Sequence, residues 1–328
     1  MRQTNLAAMP TTPAAPADPW PGGARLSEPF LSYLPVPVKG GILTVAQAGP
    51  PPAAGATPVL ALHGMTGTHM VYRTIARELA AASPPLCLLA PDMRGRGRSA
   101  HLPGPYGMAA HVDDLVAVLD HAGVERAIVA GHSMGSNIAA RFADDHPERV
   151  AAVVLLDSGV PIVADELADA PAEEDADEPP GMFDRFDRRF ESVEEYLAYW
   201  RGHPALQHTW DDDVEAFVRR DFVEDDDGVR AVAKVTAVLT DVRDLMVDGR
   251  TWSSVTRLRM PTLLLRAERG MYDDAPLIPQ PDLEEFLAEH PHVAVDMMAD
   301  VNHFTLVLGQ GDGPRHVATR LLELARAT

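Results

Sequence analysis

With 328 residues, 46% of them hydrophobic and 23% charged, the chain can bury a sizeable core and does not have a disordered composition. Acids outnumber bases 48 to 28, and a formal net charge of −20 argues against nucleic acid as a partner and disfavours an anionic membrane surface. A single cysteine, Cys87, allows no internal disulfide, and no run of 18 apolar residues marks a transmembrane helix.

Residues 1–30 are rich in Pro and Ala and read as a loose extension. Arg2 is not followed by the apolar stretch of a signal peptide, so a cytoplasmic location is expected. Val38 to Ala46 reads as a first hairpin strand. Continuous apolar runs follow at Val59–Leu62, Leu86–Ala90, Ala127–Ala130 and Val150–Leu156, each of strand length and suited to burial on both faces. Cys87 falls inside the second of them and reads as a buried, inert thiol. Helical patterns separate the runs at 71–82, 109–121 and 137–145. Alternation of this kind predicts an α/β fold, a mostly parallel sheet with helices on both faces.

After Asp157 the rhythm breaks. Residues 160–255 read as a helical insertion without a sheet of its own, expected to sit over the strand ends as a lid. Its acidic stretch 165–178 reads as a mobile, solvated loop, and helices are expected near 191–201, 211–222 and 229–247. Ser192 and Glu195 suggest a capping box for the first of these helices. Strand patterns return at Pro261–Leu265 and His292–Met297, followed by a helix over about 315–326. The expected organisation is therefore an extension (1–30), a core in two parts (31–159 and 256–328) and an inserted lid (160–255).

Gly131-His132-Ser133-Met134-Gly135 matches G-x-S-x-G, between an apolar run and a helical pattern. Side chains at the two glycine positions would collide with neighbouring backbone in so tight a turn. The turn would leave Ser133 strained and exposed, with a helix N-terminus behind it to favour developing negative charge.

In this setting the chain resembles the α/β-hydrolase superfamily, over roughly residues 35–160 and 255–328. His63-Gly64-Met65 is similar to the H-G-x oxyanion element of that superfamily. Asp92-Met93-Arg94-Gly95-Arg96-Gly97-Arg98-Ser99 is similar to its D-x-R-G-x-G-x-S loop, and Asn302-His303-Phe304 lies where it places its histidine. The resemblance implies Ser133 as nucleophile and His303 as its base. The backbone N–H groups of Met134 and Met65 would then be the oxyanion donors. Asp92 and Arg94 read as structural, and His63 as shaping the oxyanion loop. His69, His101, His111, His121, His146, His203, His208, His290, His292 and His316 are mostly expected on loops or exposed faces. No zinc spacing is present, so no metal and no cofactor are expected.

The third member of the set, the acid, departs from the majority pattern. Most members of the superfamily place it just after the strand that is here Leu263–Leu265, and the corresponding positions are Gly270 or Met271. Asp157, at the end of Val150–Leu156, is the better candidate, with Glu268, Asp273 and Asp274 as alternatives. Polyketide-synthase thioesterases and zearalenone-type lactonases place the acid as Asp157 is placed, and Asn302-His303-Phe304-Thr305 resembles the D-H-F-T run of those thioesterases.

The resemblance implies hydrolysis of an ester, lactone or thioester through an acyl-enzyme; a small-molecule substrate and no membrane insertion are expected. Ser133 stands where dehalogenases and epoxide hydrolases carry Asp, which disfavours their chemistry. Carbon–carbon bond hydrolysis, perhydrolysis and a non-enzymatic binding role on the same fold remain alternatives. Phe183, Phe186, Phe190, Tyr196, Tyr199, Trp200, Trp210, Phe217 and Met246 are expected to pack the lid, with some of them facing an apolar pocket.

Overall fold

The computed structural model describes residues 29–52, 57–161 and 183–328. The acidic stretch 165–178 and most of the Pro/Ala-rich extension lie outside them. β1 (Phe30–Val38) and β2 (Gly41–Ala48) form an antiparallel hairpin. β3 (Val59–Leu62) leads to α1 (Arg73–Ala81), β4 (Leu88–Pro91) to α2 (Met108–His121), and β5 (Ala127–His132) to α3 (Met134–Asp145) and β6 (Val150–Leu156). β3 to β6 are buried at every residue, so no solvent face interrupts their apolar runs.

Between β6 and the next sheet strand come α4 (Asp184–Asp187), α5 (Val193–Arg201), α6 (Asp212–Val218), β7 (Phe222–Asp225), β8 (Gly228–Ala231), α7 (Val235–Val247) and α8 (Gly249–Ser254). β9 (Thr262–Arg269), α9 (Gln280–Glu289), β10 (Val293–Asn302) and α10 (Asp312–Ala327) complete the chain. The main sheet runs β1-β2-β4-β3-β5-β6-β9-β10. β2 pairs antiparallel with β1 and β4, and every other pairing is parallel. One face packs against α1 and α10 through residues such as Ile75, Leu79 and Leu321; the other packs against α2 and α3 through Leu115, Ile138 and Phe142. Parallel register sets His132 beside Leu156 and Leu156 beside Leu265, so the carboxyl ends of β5, β6 and β9 open on one side, where such sheets hold their sites.

The structure corrects three expectations. The first hairpin strand is preceded by a partner, β1, and residues 38–46 straddle the turn between the two. β1 contains Pro35 and Pro37, which read against a strand, yet an edge strand tolerates residues without an N–H. The region 160–255 does carry a small sheet: β7 and β8 form an antiparallel hairpin where the ends of two helices were expected. Third, Ser192 caps α5 through its side chain, accepting from the Glu195 N–H at 3.2 Å, but the Glu195 carboxylate accepts from the N–H of Glu191 rather than of Ser192, so the box is displaced by one residue. Cys87 is buried immediately before β4, and burial pushes its thiol up to about 12.

Candidate active site

Ser133 sits between β5 and α3 with φ 55° and ψ −128°, a conformation that non-glycine residues rarely hold without surrounding constraint. That constraint is steric on both sides. A Cβ at Gly131 would lie 2.0 Å from the Gly135 carbonyl oxygen, and one at Gly135 would lie 2.1 Å from that of Leu62. Only glycines let α3 start this close to β5 and β3. The Ser133 N–H donates to the Leu156 carbonyl at 3.1 Å, tying the turn to β6. Met134 is the first residue of α3, so its N–H belongs to the unpaired first turn.

One residue beyond β6, Asp157 is fully buried and also has φ 55°. Both of its carboxylate oxygens are used. Oδ1 accepts from the Ala267 N–H at 2.9 Å, and Oδ2 lies 2.8 Å from His303 Nδ1. An acceptor-only carboxylate at that distance places the His303 proton on Nδ1 and leaves Nε2 as the basic nitrogen. His303 follows β10 in a turn built by Asn302, whose Oδ1 accepts from the N–H groups of Phe304 (3.1 Å) and Thr305 (2.9 Å). The Asn302 amide nitrogen donates to the carbonyl of Ala205 and to Asp273, each at 2.9 Å, anchoring the histidine turn to the chain on either side.

Ser133, Met134, Met65 and His303 line one cavity of about 210 Å³. Its remaining wall is mostly apolar: Val71, Phe217, Leu245, Met246, Trp252, Met271 and Leu277. Of the aromatic and Met residues expected to pack the insertion, only Phe217 and Met246 reach this wall. Phe190, Tyr196, Tyr199 and Trp200 instead pack edge-on to neighbouring rings within the insertion. The polar exceptions on the cavity wall include Asn137 and Ser158, joined at 3.2 Å.

The three alternative acids are engaged elsewhere. Glu268 accepts from the Asp300 N–H at 2.8 Å, Asp273 binds Asn302, and Asp274 accepts from the Tyr272 N–H at 3.3 Å. Met271, which stands near the majority position of the acid, is part of the cavity wall.

Two histidines hold this arrangement from behind. His63 is fully buried, with Nε2 accepting from the Met93 N–H at 3.0 Å and Nδ1 2.7 Å from the Gly64 carbonyl. Because Nε2 must accept, Nδ1 carries the proton and donates to Gly64, which fixes the peptide whose other end is the Met65 N–H. His132 donates from Nε2 to the His303 carbonyl at 2.8 Å, with ring centroids 4.5 Å apart. Burial, then the neighbouring charge of His303, hold it well below the usual histidine range. The sequence marked His132 only as the variable residue of the elbow; its adjacency to Ser133 was the signal available. His69, His111 and His203, expected on loops or exposed faces, are buried. His69 pairs with Asp92 at 2.8 Å, His111 with Asp241 at 3.0 Å, and His203 stacks on Tyr272.

Burial pushes His63 down to about 4, from an ordinary value near 6.5. A lowered folded value means the unfolded chain binds the extra proton first. The stabilising effect of a neutral His63 is therefore complete above about pH 6.5 and is lost as pH falls toward 4, by on the order of 3 kcal/mol. We expect urea-unfolding free energy to decline from pH 7 to 4.5, and to decline less steeply in His63→Gln, by close to one proton. Parallel slopes for the two proteins would contradict this assignment.

A family description, alpha/beta hydrolase fold, matches residues 57–198. The sheet order and the elbow agree with that description, and the fold is an α/β-hydrolase fold. Among curated proteins, the chain is 37% identical over 118 residues to Lipase LipV of Mycobacterium tuberculosis, covering 36% of this chain and 42% of that one. It is 36% identical over 106 residues to the putative carbamate hydrolase RutD of Caulobacter vibrioides, covering 32% and 38%. The chain thus spans less than half the length of these relatives. The fold is also that of E-2-(acetamidomethylene)succinate hydrolase (TM-score 0.71, 20% identity, 87% of this chain and 95% of that one). It is likewise that of the thioesterase domain from the curacin biosynthetic pathway (TM-score 0.68, 18% identity, 89% and 98%).

Proposed function

We propose that the protein is a serine hydrolase that cleaves an ester, lactone or thioester of an apolar acyl group. The observation that carries this reading is the buried Asp157–His303 pair, with His303 and the strained Ser133 on the wall of one largely apolar cavity. Ser133 Oγ attacks the carbonyl carbon as His303 Nε2 takes its proton, and Asp157 holds the imidazolium that results. The oxyanion of the tetrahedral intermediate accepts from the N–H groups of Met65 and Met134. His303 returns the proton to the leaving alcohol or thiol. It then activates the water that releases the acid from Ser133.

The relatives named lipase, carbamate hydrolase and thioesterase support cleavage at an acyl carbonyl. Residues 183–255 serve as a lid in this reading, because Phe217, Leu245, Met246 and Trp252 all reach the cavity from them. The test is a panel of p-nitrophenyl esters, lactones and acyl thioesters compared by kcat/KM. Apolar acyl groups should exceed acetyl or charged ones by at least tenfold, since each buried methylene is worth about 0.8 kcal/mol. Preference for a charged acyl group, or turnover of none of the three classes, would refute the reading.

A further inference from the structure

The oxyanion loop is joined to α7 through one fully buried guanidinium. Arg96 donates from Nε to the Met65 carbonyl at 2.8 Å and from Nη1 to the Arg94 carbonyl at 3.1 Å, and Nη1 also pairs with Asp241 of α7. Asp241 is itself fully buried. Its Oδ1 accepts from the Gly107 N–H at 2.6 Å, and its Oδ2 faces His111 Nε2 at 3.0 Å. One turn further along α7, Leu245 and Met246 reach the cavity.

A buried ion pair contributes little net stability, because desolvation offsets the attraction; what it supplies is a fixed arrangement of the groups it joins. Here the group fixed is Met65. The peptide before Met65 is held by its Gly64 carbonyl, which accepts from His63 Nδ1 and from the Gly67 N–H at 3.1 Å. The peptide after it is held by Arg96. With both flanking peptides pinned, the Met65 N–H cannot reorient without breaking one of these bonds. The seating of α7 on the same loop is close. The Lys234 N–H donates to the Gly95 carbonyl at 2.8 Å, and a Cβ at Gly95 would lie 2.5 Å from Ala237 Cβ.

We propose that Arg96 is a positioning residue for the Met65 oxyanion donor and that Asp241 completes its seat. The docking of α7 and the readiness of the oxyanion site then become one event. This rests on the reading of Met65 N–H as an oxyanion donor. It gives the D-x-R-G-x-G-x-S loop a catalytic consequence besides a structural one.

The test uses the full chain and two variants, Arg96→Lys and Asp241→Asn. Lysine keeps the charge for Asp241 but has only one nitrogen, and so none in the place of Nε to reach the Met65 carbonyl. The primary readout is the rate of fluorophosphonate labelling. In that reaction the Ser133 Oγ–P bond forms, fluoride leaves and His303 takes the hydroxyl proton, while the P–O oxygen draws on the oxyanion donors. Folded Arg96→Lys should label, and turn over a p-nitrophenyl ester, about 10- to 100-fold more slowly, with KM within about threefold of wild type. Asp241→Asn should move both rates in the same direction by a smaller factor, and it decides the matter if Arg96→Lys does not fold. A variant that is folded by circular dichroism and labels at the wild-type rate overturns the proposal, whatever its melting temperature. Failure of the wild type to label at Ser133 removes the hydrolase reading itself and the proposal with it.

Discussion

Ser133→Ala should lower kcat by on the order of 10⁶ while leaving the fold and ligand binding almost unchanged, as loss of the nucleophile does in a comparable serine triad. The size follows from the way the groups act together. In the proposed mechanism no acyl-enzyme can form without Oγ, and His303 has no hydroxyl proton to take. What remains is whatever the cavity and the two N–H groups can do for direct attack by water. The fold should tolerate the change. Alanine keeps the Cβ, while the turn is set by Gly131 and Gly135 rather than by the hydroxyl. The measurement is a matched pair of steady-state assays, with product-analogue binding by calorimetry to show that the cavity is intact. Retention of more than about a tenth of wild-type kcat would remove Ser133 from the mechanism.

Asp157→Asn should lower kcat by about 10⁴, and by no less than about 10³, because the neutral amide cannot hold the Nδ1 proton or balance an imidazolium. Asparagine has nearly the same shape, so the Ala267 N–H keeps its acceptor through Oδ1 and the strand end is preserved. Its amide nitrogen would then face His303 Nδ1 as a donor, forcing the ring toward the other tautomer and occupying the nitrogen that should be basic. By contrast, Glu268→Gln, Asp273→Asn and Asp274→Asn should each stay within about tenfold of wild type, since their partners are Asp300, Asn302 and Tyr272 rather than His303. Asp273→Asn is the most informative of the three. It weakens the anchor of the Asn302 turn and should show the small loss that comes from a loosened histidine. The opposite ranking, with a later acid essential and Asp157 dispensable, would refute this assignment.

Much of the candidate site was legible because it is local. An apolar run ending in Gly-x-Ser-x-Gly announces its own turn, and Asp157 announces itself by ending the next run. What was not legible depends on partners far away in the chain. Arg96 reads as one more cation in a basic loop until Asp241 is brought against it by α7. His69 and His111 read as surface residues because the carboxylates that pair with them in the interior, Asp92 and Asp241, lie far from them in sequence. β7 and β8 could have been found: Asp226-Asp227-Gly228 is a turn signal, and Gly228 takes it up with φ 114°. The helical reading prevailed because strands of four residues leave too short a pattern to compete. β1 was obscured by Pro35 and Pro37, and only its place at the sheet edge makes them acceptable.

The central claim is that Ser133 is an activated nucleophile. Its most direct measurement is intact mass after reaction with a fluorophosphonate, followed by peptide mapping of the adduct. We expect a single adduct on Ser133 in the wild type, none in Ser133→Ala, and strongly slowed labelling in Asp157→Asn. An unlabelled wild type, or an adduct that persists in Ser133→Ala, would contradict it.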